Sequence, residues 1–251
     1  MSRAKTTKTD ATTGNGYWRQ SMRPLLSLVF VIPMLVAYEA GVLWFAAEQP
    51  EVRNGVDVWL RGLLGQVGLG VHFLLPVLTC GILLAWHHMA RHSWRVAPTV
   101  VAGMWVESTL LALLLVGIAQ LQGRLFHLGG QAPAAAVAAT GASPTSLLAY
   151  FGAGIYEELL FRLLLLPSVA ALLRLTGASM RVSLVTAAVL TSVVFAAAHY
   201  QLFTSVGAPF DWFSFVFRSV AGMFFAALFL WRGFGIAAGT HALYDVLVVV
   251  G

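Results

Sequence analysis

Three ionisable residues stand close together inside a strongly apolar stretch, Gly154–Pro167, which reads GIYEELLFRLLLLP. They are Glu157, Glu158 and Arg162. Glu158 and Arg162 are four positions apart, a spacing that predicts an acid-first ion pair on one face of a helix. Glu157 points about 100° further round the same helix and can face another partner. An ion pair requires only one glutamate, so the second glutamate indicates a further function.

Downstream apolar segments contain three more polar residues, His199, His241 and Asp245. Each has an ordinary explanation: His199 at a helix end can face lipid headgroups, and His241 can bond Asp245, four positions later on the same helix face. Ionisable residues on three neighbouring helices nevertheless normally face a bundle interior or a wet cavity. Carboxylates and imidazoles together suit the activation of water and the stabilisation of an oxyanion, or alternatively the binding of a metal.

The composition is that of an integral membrane protein. Of the 251 residues, 59% are hydrophobic and only 10% are charged, which is too apolar for a soluble domain. The net charge of +5 therefore matters through the position of Lys and Arg relative to the spans, and not as a sign of nucleic-acid binding. The lone cysteine, Cys80, allows no internal disulfide and is interpreted as a small buried hydrophobe.

The apolar runs predict an all-α fold, a polytopic transmembrane helical bundle of about seven spans. An amphipathic stretch at 56–69 is predicted to be an interfacial helix. Pro167 is expected to end or kink the fourth helix. The predicted spans cover residues 25–47, 71–89, 99–121, 145–175, 182–200, 212–231 and 236–251.

Lys and Arg outside the spans determine the predicted orientation. Ten fall on the side of the N-terminal tail and three on the opposite side, and positive loops favour the cytoplasm. The N-terminus is therefore predicted to lie on the cytoplasmic side. The protein is predicted to reside in the inner (cytoplasmic) membrane of a bacterium. Glu157 then lies roughly 15–18 Å, and His241 roughly 15 Å, from the outer end of its helix. His199 lies roughly 10 Å down if its helix continues to about residue 206. A site in the outer half of the membrane favours an exported substrate over a cytosolic prenylated protein.

Three short motifs carry a resemblance to a known family. They are EExxxR (Glu157, Glu158, Arg162), FxxxH (Phe195, His199) and HxxxD (His241, Asp245). In this order on successive apolar segments, they resemble the CPBP family of intramembrane proteases. That family includes the CAAX prenyl endopeptidases of the Rce1 type and bacterial bacteriocin-processing proteins. The resemblance covers residues 146–245 and is carried by the order of the motifs, since each motif alone is weak.

The resemblance implies an enzyme, an intramembrane endopeptidase of the glutamate protease type. It would hydrolyse a peptide bond of a membrane-associated protein or peptide, in C-terminal processing or protein sorting. Glu157 would be the general base that activates water, with His199 as its partner. His241 and Asp245 would stabilise the tetrahedral oxyanion, and Glu158 would complete the catalytic set.

Arg162 and Phe195 are expected to support these residues. In the family the last motif position is often Asn, which can donate a hydrogen bond, whereas an ionised Asp245 cannot. Asp245 is therefore protonated, or orients His241, or a metal is present.

No cofactor is favoured, because the resemblance is to a metal-free glutamate protease. A divalent metal such as zinc, held by Glu157, His199 and His241, stays open as the alternative. The expected partners are the lipid bilayer and a membrane-associated protein or peptide substrate, with no nucleic acid.

The chain is divided into four segments on this interpretation. Residues 1–24 form a polar cytoplasmic tail, 25–128 three N-terminal transmembrane spans, 129–144 a flexible loop rich in Gly and Ala, and 145–251 a CPBP-like catalytic helical core.

Two rival functions stay open. A transporter could relay protons or ions through four membrane glutamates, which are Glu39, Glu107, Glu157 and Glu158. No internal repeat is visible, and the polar residues cluster in the second half, which argues against a transporter. An inactive membrane scaffold is the other rival, and the intact set of Glu and His residues argues against it.

Overall fold

The computed structural model describes residues 14–45, 53, 55–66, 68, 73–128, 143–200 and 208–250. In these ranges the protein consists of ten α-helices and one π-helical segment, without a β-strand. The elements are α1 (Gly14–Ser21), α2 (Pro24–Phe45), α3 (Gly55–Gln66), α4 (Leu74–Met89), α5 (Pro98–Leu128), α6 (Pro144–Glu158), the π segment (Leu159–Leu165), α7 (Leu166–Leu175), α8 (Met180–Ala197), α9 (Trp212–Arg232) and α10 (Phe234–Val250). The all-α prediction is confirmed.

Among the described residues, four helices are long and apolar enough to cross a membrane, namely α2, α5, α8 and α9. The apolar helices α4 and α10 are shorter, and α6, the π segment and α7 follow one another without a break. The helix α3 occupies the stretch predicted to be interfacial. Seven crossings, an internal N-terminus and the division into four segments stay predictions.

The helix that carries the paired glutamates differs from prediction at its centre. It does not end at Pro167; the residues in front of the proline form a π-helix instead. The N–H of Leu166 bonds the carbonyl of Phe161, five positions earlier, which is the π-helical spacing. Proline lacks an N–H, and its ring crowds the carbonyl four residues before it, so the preceding turns widen. Such π segments are frequent at functional sites.

The helix before His199 is shorter than predicted. α8 ends at Ala197, and the backbone turns through Ala198 and His199. A helix that continues to about residue 206 is therefore wrong, because the N–H of Ala208 returns to bond the carbonyl of His199 at 3.0 Å. Residues 201–207 lie outside the described residues, as do most of the predicted tail and most of the predicted flexible loop.

The last helix, α10, lies at the centre of the bundle. Every residue from Phe234 to Ala242 is buried, and the helix packs against α2, α5, α6 and α9. Glycines permit this packing: a Cβ on Gly235 would lie 2.8 Å from Cα of Ser27. Small residues let the backbones of membrane helices approach closely in this way.

Arginines neutralise the acids on α2 and α5. Glu39 accepts hydrogen bonds from Nη2 of Arg61 at 2.8 Å and from the hydroxyl of Tyr156 at 2.6 Å. Glu107 accepts a hydrogen bond from Nε of Arg232 at 2.6 Å. These pairs fasten α3 and α6 to α2, and α9 to α5, as structural cross-links.

The sequence predicts that Cys80 is buried, but in the structure it is only half-buried. Its helix, α4, packs against the bundle on the side that faces α2 and α3, so the remaining surface of the helix stays outside the core.

Candidate active site

Gly154 brings α6 against α10. A Cβ on this residue would lie 2.6 Å from the backbone nitrogen of Ala242 and 2.8 Å from the carbonyl oxygen of Ala238. No side chain larger than hydrogen fits between the two backbones. The close approach places the glutamates at the end of α6 beside His241 on α10.

One carboxylate oxygen of Glu158 contacts both Arg162 and His241. Its Oε1 lies 2.9 Å from Nη1 of Arg162, which is the ion pair that the spacing predicts. The same oxygen lies 2.8 Å from Nδ1 of His241. A carboxylate only accepts, so Nδ1 of His241 donates and its Nε2 is directed away from Glu158. Glu158 and Arg162 are 0% and 1% exposed, which makes the pair part of the bundle interior.

Arg162 connects the π segment to α8 and α9. Its Nη2 donates to the carbonyl of Gly222 at 3.0 Å. The guanidinium lies 4.4 Å from the ring centroid of Phe195 and 5.5 Å from that of Phe225. Aromatic faces attract such cations. The predicted supporting residues Arg162 and Phe195 are therefore in contact with each other.

His199 reaches the site from the turn that follows α8. Its Nδ1 lies 2.8 Å from the carbonyl of Phe195, and a carbonyl only accepts, so this nitrogen donates. The ring packs edge-on against Phe195 with centroids 4.9 Å apart. Nε2 then faces Oε2 of Glu157 at 3.7 Å.

Glu157 faces both histidines. Its Oε2 lies 3.7 Å from Nε2 of His199 and 3.8 Å from Nε2 of His241. These separations exceed a direct hydrogen bond. The glutamate is 5% exposed. A buried carboxylate oxygen therefore faces two imidazole nitrogens at similar distances.

Asp245 lies at the edge of this group. Its Oδ2 is 3.6 Å from Nε2 of His241, which is too long for a hydrogen bond. The hydrogen bond of His241 goes to Glu158 instead, so the intrahelical bond considered as an alternative is absent. The side chains of His199 and Asp245 are 28% and 22% exposed, and the site therefore opens on their side.

The ring of His241 stacks on Phe225, with centroids 4.5 Å apart and planes inclined by 13°. Sequence reasoning missed Phe225, because one more aromatic residue in an apolar span carries no signal of its own. It also missed Gly154, although a glycine one turn before paired glutamates is a signal of close helix packing.

In the alternative with a metal, Glu157, His199 and His241 are the predicted ligands. Their residue types suit zinc. Across the described part of the chain, however, no three His, Cys, Asp or Glu side chains converge as a metal-binding group. The metal-free interpretation stays a prediction.

The apolar helices and the buried group of acids and imidazoles define an integral membrane protein with a candidate hydrolytic centre. A family model described as type II CAAX prenyl endopeptidase Rce1-like matches residues 139–247. The matched segment contains the whole candidate site, and the match supports membership in the CPBP family of CAAX protease-type peptidases. Neither the search of curated proteins nor that of solved structures found a match.

Proposed function

We propose that the protein is an intramembrane endopeptidase in which Glu157 activates a water molecule to hydrolyse a peptide bond. One observation carries the proposal: the carboxylate of Glu157 lies 3.7 and 3.8 Å from the Nε2 atoms of His199 and His241 inside a membrane-type bundle. A carboxylate base and two imidazoles directed toward one point are the groups that hydrolysis of an amide requires.

Glu157 would take a proton from this water while the water oxygen attacks the carbonyl carbon. His199 has Nδ1–H fixed by the carbonyl of Phe195, so in its neutral form Nε2 accepts a hydrogen bond and orients the water. The tetrahedral intermediate then collapses: the carbon–nitrogen bond breaks, and Glu157 returns the proton to the leaving amine. One water is consumed, and a carboxyl and an amino terminus are produced.

His241 is the proposed donor to the oxyanion. Its Nδ1 is fixed by Glu158, and its Nε2 faces Glu157 and Asp245 at 3.8 and 3.6 Å. In its imidazolium form the ring keeps Nδ1–H on Glu158 and can donate Nε2–H to the oxyanion. Because Glu158 already orients the ring, Asp245 is not needed for that task, and we assign it to balancing the imidazolium charge.

The rival functions have weaker support. Glu39 and Glu107, which a transporter would need in its relay, are each bonded to an arginine in the folded protein. Such pairs are what a structural cross-link provides. An inactive scaffold would not need Glu157 and two histidines oriented toward one point.

The proposed substrate is a membrane-associated protein or peptide with its cleavage site near the membrane surface. The matching family is described by its CAAX prenyl endopeptidases, so a prenylated peptide is one candidate. The predicted orientation favours the other candidate, an exported protein whose C-terminal membrane anchor is trimmed. Both candidates present a peptide bond close to a hydrophobic anchor.

Hydrolysis can be tested with the purified protein in proteoliposomes. The probe is a synthetic peptide library in which each peptide has a farnesylated cysteine or a hydrophobic segment as its anchor, followed by varied residues. In water enriched in ¹⁸O, we expect new C-termini that carry one ¹⁸O atom, and none with Glu157→Gln. Proton or sodium flux in the same vesicles, with no peptide cleaved, would contradict the proposal and support a transporter.

A further inference from the structure

Arg218, on α9, differs from Arg162 and Arg232, the two arginines that are buried in the bundle. Arg162 and Arg232 pair with glutamates at 2.9 and 2.6 Å. Within the described ranges no carboxylate forms an ion pair with Arg218. An arginine inside a membrane costs several kcal/mol unless it is paired, and it usually marks a functional position.

The contacts of Arg218 are all with neutral groups. Its Nη1 donates to the hydroxyl of Tyr200 at 2.9 Å and to the hydroxyl of Ser214. The guanidinium carbon lies 5.3 Å from the ring centroid of Tyr200. Among the described residues, Nε and Nη2 have no hydrogen-bond partner. The guanidinium is therefore anchored through one nitrogen while its other edge is available to a ligand.

Arg218 lies on the open side of the candidate active site. Its Nη1 bonds the hydroxyl of Tyr200, and Tyr200 directly follows His199 in the chain. His199 and Asp245 are also the most exposed members of the site, at 28% and 22%. The guanidinium is therefore close to the turn from which His199 reaches Glu157.

We propose that Arg218 binds a carboxylate of the substrate peptide and thereby determines which peptides are cleaved and in which direction they lie. A guanidinium binds a carboxylate through two parallel hydrogen bonds, and the available edge of Arg218 provides both donors. The inference rests on the proposed endopeptidase function and names the substrate feature that this function would recognise.

The charges around the site favour this position for a substrate carboxylate. Glu157 and Asp245 repel an anion, whereas Arg218, which has no carboxylate partner among the described residues, attracts it. A peptide carboxylate, whether the C-terminus or an acidic side chain, is therefore directed to one end of the site. A lipid phosphate has a similar chemistry, and the experiment separates the two sources.

The test uses three sets of the anchored peptides. One set has free C-terminal carboxylates, the second has C-terminal amides, and the third has a single Glu at varied positions. We expect wild-type protein in phosphatidylcholine vesicles to cleave carboxylate-bearing peptides with kcat/KM about ten- to a hundredfold higher than neutral ones, the range for a charge-assisted hydrogen bond. Arg218→Gln should lose this preference while it still cleaves the neutral peptides.

Two variants serve as controls. Arg218→Lys keeps the charge and should keep part of the preference, and Arg181→Gln removes an exposed charge on α8 and should keep all of it. If Arg218 only braces Tyr200, Arg218→Gln will reduce cleavage of charged and neutral peptides by the same factor. That result would overturn the inference.

Binding of fluorescent peptides to Glu157→Gln protein, with and without Arg218→Gln, separates this inference from the proposed function. If nothing is cleaved but carboxylate peptides bind at least tenfold more tightly and only with Arg218 present, the peptidase proposal fails and the carboxylate site stands. Equal binding of carboxylate and amide peptides would overturn the carboxylate site. So would binding that follows added phosphatidylglycerol in place of the peptide carboxylate, because the anion would then be a lipid phosphate.

Discussion

His241 donates a hydrogen bond from Nδ1 to Oε1 of Glu158 at 2.8 Å, and the same oxygen lies 2.9 Å from Nη1 of Arg162. One buried carboxylate oxygen therefore joins the imidazole of α10 to the guanidinium of the π segment. The contact fixes the ring so that Nε2 faces Glu157. The second glutamate of the pair is a positioning residue, and the first is the proposed base.

We expect Glu158→Gln to destabilise the protein by about 3–5 kcal/mol, because Arg162 is left as a buried charge without its partner. Arg162→Gln should have a similar effect. The double variant Glu158→Gln/Arg162→Gln should lose clearly less than the sum of the two, since neither charge is then left alone. Thermal unfolding of the purified proteins in detergent measures all three, with Arg174→Gln at an exposed site as the control. Additive losses would show that the pair is not coupled.

The close approach of α6 and α10 predicts a strong effect of a single methyl group. Gly154→Ala places a Cβ 2.6 Å from the backbone nitrogen of Ala242, so the helices must separate, and Glu158 moves away from His241. Activity should fall at least tenfold, and the protein should be destabilised by about 1–3 kcal/mol, the usual cost of overpacking. Gly117→Ala is the matched control, because nothing lies within 4 Å of its Cβ. Equal activity of the two variants would argue against helix contact as the basis of the site.

Chelation tests the metal-free mechanism. Peptidase activity of the purified protein should stay within about twofold after treatment with a strong chelator such as 1,10-phenanthroline, because Glu157 itself is the proposed base. A loss of activity that zinc restores would instead assign Glu157, His199 and His241 as ligands. The inactive analogue 1,7-phenanthroline controls for effects of the compound on the membrane.

The orientation can be tested with single cysteines in a Cys80→Ser background. Val96, in the connection after α4, and Leu175, at the end of α7, are exposed and predicted to face the cytoplasm, whereas Ala208 is exposed and predicted to lie on the opposite side. In intact cells an impermeant maleimide should label only the Ala208 variant. Labelling of the Val96 and Leu175 variants without the Ala208 variant would reverse the orientation and move the site to the inner half of the membrane.

The local features of the site could be predicted from the sequence. The ion pair of Glu158 and Arg162 follows from their spacing on one helix, which needs no knowledge of tertiary structure. The hydrogen bond between Glu158 and His241 joins residues 83 positions apart, so it depends on how α6 packs against α10. Spacing along the chain carries no information on that packing, and only Gly154 hints at it.

The boundaries and shapes of the helices were predicted less well than the identity of the site residues. The π segment arises where Pro167 meets a run of leucines, and the sequence does not distinguish a kink, an end and a widened turn. The early end of α8 was missed because FAAAHY continues the helical pattern of apolar residues up to Tyr200. His199 nevertheless reaches the site, from a turn that fixes its ring through the carbonyl of Phe195.

The central claim is that Glu157 and His199 carry out peptide hydrolysis in the membrane. The most direct test maps the C-termini of membrane proteins in cells that produce the wild type, Glu157→Gln or His199→Ala at equal levels. We predict a set of mature C-termini that is present with the wild type and absent with both variants. An unchanged set of C-termini in cells with well-folded variants would contradict the claim.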